Sequence, residues 1–450
     1  MYNKSMRFHF LNKKNFQNNM NSLRVIAFQK YVFEIRHGLP LQRFNFSKYT
    51  NAILGIFVLC LLNCIHRPKK PEPPYAIFQQ LLKPNVGPSD SSDNPSECPG
   101  PNLNFTPAAV TDTGQNQCWD ATGTLVACAG TGQDGEFNNT PNVRSFSAPT
   151  QHCIYPNDYT TLDQIHGLTW KTCAQGRSGA DCSAGVITPI TWNNADAGAA
   201  GSCVELNTLN NGRGYAGKTD WRIPTIRELS SLIDSSAAVP HIDAAAFPNT
   251  ISLVGYISNT TRVPLPGQVF QSEFALGMHA TSVGKSVPRY LRCVSGNPIP
   301  APSFVDNSFL PPPAVATDTI FDQNTGLLWQ KCAAGLTGAG CAVGVASTIT
   351  WTAALTYCDI LNFAGRSDWR LPNASEMLSI VDYSAPMAPF IFGVFPNTPV
   401  AAISFWTSTT GSGVLLARVF GFYPAGSGQS LDALKGMGTT GYVRCVTNGP

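Results

Sequence analysis

The chain has 450 residues, of which 13% are charged and 43% are hydrophobic, and its formal net charge is +3. That length is too great for one ordinary hydrophobic core and indicates two or three domains. The positive charge belongs to the N-terminus, because nine Lys or Arg and one acid precede Cys64, whereas 21 basic and 26 acidic residues lie from Cys64 onward. A mildly acidic body argues against a nucleic-acid partner, which would need clustered Lys and Arg.

The N-terminal segment has the pattern of an export signal. An apolar run from Ala52 to Cys64 follows Arg43 and Lys48 and is too short to cross a bilayer. The letters LLNC at its end resemble the looser lipobox of spirochaetal lipoproteins, which implies cleavage before Cys64 and lipid attachment to its thiol. An ordinary signal peptide or an uncleaved anchor is the alternative.

These signals divide the N-terminal part of the chain. We predict a signal peptide with a lipobox over residues 48–64 and a flexible linker, rich in Pro and Lys, over 65–97. Residues 1–47 are too long for a signal-peptide n-region and indicate an over-extended gene start. A cysteine-containing extension over 98–150 follows. We expect the mature chain to be an outer-membrane lipoprotein of the cell envelope, exposed at the surface, with the membrane as its partner through the lipid.

An eleven-residue phrase then occurs twice, as TDWRIPTIREL at Thr219–Leu229 and as SDWRLPNASEM at Ser367–Met377. A preceding block and the closing phrases YLRCV and YVRCV recur as well. Because such self-similarity indicates duplicated units, we predict two domains, 151–296 and 314–450, each an independently closed scaffold. The Pro-rich segment 297–313 between them should be extended and semi-rigid.

The repeated phrase predicts a strand followed by a helix. Asp220 and Arg222 lie two positions apart, hence on one face of an extended strand, and we expect them to form an ion pair. The strand should end at the proline of DWRIP, and Thr225 with Glu228 then has the spacing of a helix-capping box. The second copy has the same pattern at Asp368, Arg370, Asn373 and Glu376.

The cysteines indicate disulfide bonds. With Cys60 and Cys64 set aside, twelve remain, an even number in an exported chain. Four cysteines in each copy allow three pairings, of which we favour two short clasps and two long closures, each long closure contributing about 4–5 kcal/mol on chain-entropy grounds. The expected pairs are Cys173–Cys182, Cys203–Cys293, Cys332–Cys341, Cys358–Cys445, Cys118–Cys128 across a hairpin, and Cys98–Cys153 by elimination.

Both copies resemble the bacterial Lcl C-terminal domain family, whose recurring text is TGLxW, DWRLPTxxEL, FP, YWTST and VRCV. The stretch that begins VTDTGQNQCW resembles a segment found before this domain in bacterial surface proteins. The resemblance implies adhesion as a role and, by further analogy, a C-type-lectin-like fold. We therefore predict an α+β fold of two tandem disulfide-braced units, each with a small antiparallel sheet and about two short helices.

Catalysis by a shared site is disfavoured. The five histidines after Cys64 all lie before residue 300, so a His-dependent mechanism cannot belong to what the copies share. The repeated carboxylates, such as Asp220, Glu228 and Asp234, could form a glycosidase acid/base pair, but caps and ion pairs explain them better. We expect no catalytic residue.

No cofactor or metal is expected either, because H-x-x-x-H and C-x-x-C spacings are missing from the sequence. The acids of Asp134–Glu136 could meet Asp163 at a calcium ion, but a solvated turn is favoured for them. Trp221 and Trp369 belong to a set of tryptophans that recur at held spacing, which is typical of core packing.

Three aromatic residues are candidates for ligand binding. Trp406 has no tryptophan counterpart in the first copy, which suggests divergence at a surface in use. Trp119, and Tyr256 in a loop region rich in Thr and Asn, could stack on sugar rings. The expected function is non-catalytic, adhesin-like binding of host matrix or glycan. The alternatives are a glycan-active enzyme or envelope-assembly factor with its site in the first copy only, and a purely structural envelope component.

Overall fold

The structure is a computed structural model that describes Cys98 and residues 103–309, 317–436 and 438–449. The predicted signal peptide, the lipidation site Cys64 and the linker 65–97 lie outside these residues. Among the helices in the described ranges, none has the length and apolarity needed to span a membrane.

The extension before the first copy contains a small hairpin and one helical turn. Its strands are Cys118–Trp119 (β1) and Leu125–Val126 (β2), which pair antiparallel. A one-turn 3-10 helix follows at Asp134–Glu136.

The first copy has a four-stranded sheet in the order β11-β5-β4-β3, a three-stranded sheet in the order β10-β9-β8, and a two-stranded clasp of β6 and β7. The strand bounds are Thr150–Gln151 (β3), Tyr159–Leu162 (β4), Thr169–Lys171 (β5), Arg177–Ser178 (β6), Ala184–Gly185 (β7), Tyr256–Thr261 (β8), Gln268–Glu273 (β9), Met278–Gly284 (β10) and Val294–Ser295 (β11). The helices are Trp192–Asp196 (α1), Cys203–Leu206 (α2), Leu209–Gly212 (α3) and Ile226–Ser230 (α4), with a 3-10 turn at Tyr215–Gly217.

The second copy repeats this plan with longer, more regular elements. Its strand bounds are Phe304–Asp306 (β12), Thr319–Asp322 (β13), Leu327–Gln330 (β14), Leu336–Thr337 (β15), Val343–Gly344 (β16), Thr348–Ile349 (β17), Phe405–Thr410 (β18), Leu416–Gly421 (β19), Gln429–Leu434 (β20), Gly441–Tyr442 (β21) and Val446–Asn448 (β22). The helices are Trp351–Asp359 (α5) and Ala374–Ser379 (α6), with a 3-10 turn at Asn307–Phe309. The sheet orders are β12-β13-β14-β22, β17-β21-β18-β19-β20 and β15-β16.

The fold is therefore α+β in tandem units, with two differences from expectation. Each copy has two separate sheets and a clasp, and β18 pairs with β21 in parallel rather than antiparallel. The segment of the first copy that corresponds to α5 contains several glycines and forms three short helices, α1, α2 and α3, in the last of which Asn210 and Asn211 have positive φ.

Among the described residues, six disulfide bonds form, and they are the six pairs predicted from the sequence. Each copy has a clasp of nine residues, Cys173–Cys182 or Cys332–Cys341. Each also has a long closure that joins a helix to the end of the unit, Cys203–Cys293 or Cys358–Cys445. The extension has Cys118–Cys128 and Cys98–Cys153.

The repeated phrase DWRIP/DWRLP forms the expected cap but not the expected ion pair. Thr225 and Glu228 make a capping box at α4, and Asn373 and Glu376 make one at α6. The two terminal guanidinium nitrogens of Arg222, Nη1 and Nη2, donate to the Glu228 carboxylate at 2.8 and 2.6 Å, so the predicted pair with Asp220 is wrong.

Both acids of that phrase instead hold the last strand. Asp220 accepts hydrogen bonds from the Ser295 hydroxyl and the Gly296 N–H. In the second copy, Asp368 binds Arg366 and the Thr447 hydroxyl, while Arg370 binds Glu376. The physical reason is that the helix cap turns the glutamate back toward the arginine, and the arginine's two parallel N–H groups match a carboxylate.

A second contact occurs in both copies and joins the sequence FPNT, at residues 247–250 and 395–398, to the arginine of RCV, at residues 292–294 and 444–446. Arg444 is fully buried and donates to the carbonyls of Gln330 and Lys331 and to the Thr398 hydroxyl. Its guanidinium carbon lies 4.7 Å from the Phe395 ring centroid. In the first copy, Arg292 makes the same contacts with Lys171, Thr172, Thr250 and Phe247. This arginine thus ties the terminal strand to the FPNT turn in both copies.

The two copies share one hydrophobic core cluster in addition to the clusters that each copy has to itself, a contact that the expectation of two independent scaffolds did not include. One cluster contains Phe270 and Ala280 of the first copy together with Met377 and Phe420 of the second. Arg227, in α4, donates to carbonyls at the end of α6, including those of Ser379 at 2.9 Å and Val381 at 2.8 Å.

The segment predicted as a linker contributes to the second copy, because β12 pairs with β13 and brings Phe304 opposite Asp322. Phe146 lies opposite Asp163 in the same way before the first copy. The dipeptide Ser-Phe occurs at both of these strands, and in the sequence it indicates that the repeat begins earlier than predicted.

Candidate functional site

Two of the three predicted ligand residues are in the core. Trp406 is 1% exposed and Tyr256 is 0% exposed. The Trp406 indole N–H donates to the Ile349 carbonyl, and the Tyr256 hydroxyl donates to the Ile251 carbonyl. The prediction of ligand binding is wrong for both, because their polar atoms are already satisfied inside the fold.

Trp119 differs, because it is half-buried and lines a cleft. The Cys118–Cys128 disulfide closes the hairpin that carries Trp119, and the backbone N–H of Trp119 donates to Gln133 Oε1 at 3.1 Å. Lys435 of the second copy donates to the Trp119 carbonyl and lies 5.9 Å from the indole centroid. The backbone of Trp119 is therefore fixed at its N–H and at its carbonyl, which limits the positions open to the indole and so lowers the entropy cost of binding.

The cleft is composite, with walls from three parts of the chain and a cavity volume of about 160 Å³. The extension contributes Gln115 and Trp119, the first copy contributes Ser235, His241, Leu276 and Gly277, and the second copy contributes Thr410, Gly411, Ser412, Gly413, Val414 and Arg418. A site of this kind cannot be read from either copy alone, since neither copy carries more than one wall.

Buried polar groups form the floor of the cleft. Arg418 is 2% exposed, donates from Nη2 to the Leu276 carbonyl at 2.8 Å, and has Nη1 2.8 Å from Asp432 Oδ1. Its Nε, and the Nδ1 of His241, have no hydrogen-bond partner within the part of the chain that the structure describes. Burial, and then the charge of Arg418, lower the pKa of His241, which favours the neutral form of the imidazole. Such unpaired buried groups favour a ligand that supplies polar atoms.

The rim adds apolar surface to these polar groups. Leu276 is 40% exposed and Val414 is 41% exposed, although both are large hydrophobic residues. The combination of an aromatic face, aliphatic rim and a few convergent donors is typical of a small-molecule or saccharide site.

The repeated carboxylates that were considered as a glycosidase acid/base pair do not form such a pair. Glu228 and Glu376 are each fully buried and bound to an arginine and to a cap N–H. Asp234 accepts from the N–H and hydroxyl of Ser236. These carboxylates have structural partners, and the glycosidase arrangement considered from the sequence is not formed by them.

The acids weighed for calcium, Asp134 and Asp163, are both buried, so the prediction of a solvated turn is wrong. Asp163 accepts from His166 at 2.6 Å, and Asp134 accepts from the hydroxyls of Thr113 and Thr409. Over the described ranges, one group of three potential metal-ligand atoms lies within 4.8 Å, formed by Cys98, His152 and Cys153. Its two cysteines form a disulfide, and His152 Nδ1 accepts backbone N–H groups, so it is not built as a metal site.

Comparison with protein families places both copies in one family. The Lcl C-terminal domain matches residues 159–295 and 318–447. These ranges contain the repeated phrase, the FPNT turn and the RCV arginine of each copy. No curated protein and no solved structure matches the chain.

Proposed function

Since the chain belongs to the Lcl C-terminal domain family, with two copies in tandem, we propose that it binds a glycan in the cleft of Trp119. The protein would be a non-catalytic, adhesin-like component of the bacterial surface. The observation that carries this proposal is the half-buried Trp119 indole, on a backbone fixed by hydrogen bonds, in a cleft that also contains the unpaired polar groups of Arg418 and His241. Sugar rings stack on such an aromatic face while their hydroxyls bond to the polar groups.

The same proposal includes the location of the protein in the cell envelope. A lipid on Cys64 would tether the mature chain to the outer membrane with its domains at the cell surface. Six disulfides support an oxidising compartment outside the cytosol, where such bonds persist. A C-type-lectin-like fold of each copy is also proposed, and the bond between a helix and the terminal strand is consistent with it.

The test uses the whole mature chain from Cys64, because the cleft needs the extension and both copies. Binding to arrays of glycans and of matrix proteins is measured for the wild type and for Trp119→Ala. We expect a saturable glycan ligand whose affinity falls about tenfold or more in this variant, a loss of at least about 1.4 kcal/mol.

Trp192→Ala is the matched control. Trp192 is also half-buried under a lysine, with Lys285 Nζ 3.9 Å from its centroid, but it is outside the lining of the cleft. Equal losses in both variants, or binding only to matrix proteins that Trp119→Ala leaves unchanged, would refute the glycan cleft.

One observation favours the alternative that the protein is an enzyme, namely the unpaired Nδ1 of His241 in the cleft. The bound glycan should be recovered intact after long incubation if the protein only binds. Turnover that His241→Ala abolishes would favour an enzyme instead.

A further inference from the structure

A second cavity, separate from the Trp119 cleft, lies between the extension and the first copy. Its volume is about 190 Å³. The residues that line it are Asp112, Gly114, Asn139, Arg144 and Phe146 of the extension, with Asp234 and Asp243 of the first copy.

The charges in this cavity do not balance. Three carboxylates face one guanidinium, that of Arg144, whose Nη1 lies 3.9 Å from Asp234 Oδ1. Arg144 also donates to the carbonyls of Thr113, Leu232 and Ile233, which divides its hydrogen bonds among neutral acceptors. With the three acids ionised, two negative charges remain.

One of these carboxylates is both buried and incompletely bonded. Asp112 is 5% exposed, and its Oδ2 accepts from the Asn139 N–H at 3.0 Å. Its Oδ1 has no hydrogen-bond partner among the residues that the structure describes. Leaving a buried carboxylate oxygen unpaired costs free energy unless a partner of opposite charge occupies the space.

The other two carboxylates have capacity for a ligand. Asp234 Oδ1 accepts from Ser236, and Asp243 Oδ1 accepts from the N–H groups of Ala245 and Ala246. These bonds fix both side chains through one oxygen each and leave the second oxygen of each carboxylate available.

We propose that this cavity binds a hard divalent cation, with Ca²⁺ as the reference ion. Carboxylate, amide and water oxygens are the ligands such ions prefer, and a double positive charge matches the excess of two negative charges. The volume is sufficient for the ion together with several of its waters.

The spacing of the acids sets the expected affinity. Across the described residues, these three carboxylates do not form a group of ligand atoms within 4.8 Å. The ion is therefore held directly by at most two of them and keeps several waters. We expect a dissociation constant of about 0.1–1 mM, as in extracellular calcium modules.

Binding here would join the extension to the first copy, because Asp112 and Asp243 belong to different parts of the chain. The same extension carries Trp119, so the cation would stabilise one wall of the glycan cleft. The site itself does not depend on the proposed glycan.

The test is calcium-dependent thermal stability of the mature chain after removal of metals with EDTA. CaCl₂ is titrated to about 10 mM at constant ionic strength, with MgCl₂ and NaCl as comparison salts. We expect a saturable rise in Tm with CaCl₂, and at ten times Kd the ratio of unfolded to folded protein should fall about 11-fold. Isothermal titration calorimetry measures Kd directly.

Asp112→Asn and Asp243→Asn should each abolish the calcium-dependent rise, whatever their effect on the calcium-free protein. Asp196→Asn is the control, because Asp196 is exposed and lies outside the cavity. No saturable rise in the wild type, or a rise that survives in Asp112→Asn and Asp243→Asn, would overturn the site. Neither result bears on glycan binding measured in EDTA.

Discussion

Arg370 and Glu376 form a two-point ion pair, with distances of 2.5 and 2.6 Å, in which the glutamate is fully buried. The glutamate also accepts the cap N–H of Asn373, so one carboxylate holds both a strand end and a helix start. Glu376→Gln should therefore lower the free energy of unfolding by about 3–5 kcal/mol, because it leaves the Arg370 charge buried and unpaired.

Asp368→Asn is the comparison, since that carboxylate is 57% exposed and its pair with Arg366 is at the surface. We expect a loss below about 1 kcal/mol. Urea unfolding of both variants measures the difference in the free energy of unfolding. Equal losses would show that the buried ion pair contributes no more to stability than the exposed one.

The two kinds of disulfide should differ in their contribution to stability. Cys358–Cys445 closes a separation of 87 residues, and Cys332–Cys341 closes nine. Chain entropy predicts about 4.6 kcal/mol for the first and about 2.7 kcal/mol for the second. Replacing each pair by alanine should therefore cost about 2 kcal/mol more at the long closure, as measured by unfolding in urea. The opposite order would mean that native-state contacts outweigh loop closure.

Lys171 should make stability depend on pH. It is 5% exposed, and its ammonium group donates only to carbonyls, of which that of Arg177 is the nearest at 2.8 Å. Burial, and then the charge of Arg292, lower the pKa of Lys171 from 10.5 to about 7. Between these values the unfolded chain binds more protons than the folded chain, so stability rises with pH from about 7 to about 10.5.

Lys171→Met should flatten this rise between pH 7 and pH 9. Lys331→Met is the matched control, because Lys331 occupies the equivalent place but is paired with Asp306 at 2.7 Å. The control should keep the wild-type slope while losing stability. A slope unchanged by Lys171→Met would place the titrating group elsewhere.

Local patterns in the sequence predicted those parts of the structure that depend on interactions between neighbouring residues. The capping boxes at Thr225 and Asn373 need only a few neighbouring residues, and the duplicated cysteines pair within each copy because the copies share one fold. The pairing of Arg222 failed as a prediction because strand alternation does not indicate that the helix cap turns Glu228, six positions further along, back toward the guanidinium.

The cleft could not be predicted from the sequence in the same way. The lack of a tryptophan at the corresponding position of the first copy suggested that Trp406 lies at a surface. Trp406 and its counterpart Ile257 are both buried in the core instead. The sequence indicates Trp119 as a candidate, but Lys435, which binds its carbonyl, and Arg418, which lines the same cleft, lie some 300 residues further along the chain. Packing between the copies, which no periodic pattern records, brings these walls together.

That packing also leads to a prediction about cooperativity. Arg227 joins α4 to the end of α6 by donating to the carbonyls of Leu378, Ser379 and Val381. The Leu378 carbonyl also accepts the Val381 N–H, as is usual in the last turn of a helix. Arg227→Met keeps the aliphatic part of the side chain but removes the hydrogen bonds to the Ser379 and Val381 carbonyls, and we expect a loss of about 2 kcal/mol or more in the free energy of unfolding. Because Phe270 of the first copy belongs to the core cluster of the second, the wild type should unfold in one calorimetric transition. Arg227→Met should broaden or split that transition, whereas Arg213→Met, at an exposed position, should leave it unchanged. Two separate transitions in the wild type would show that the shared core does not couple the copies.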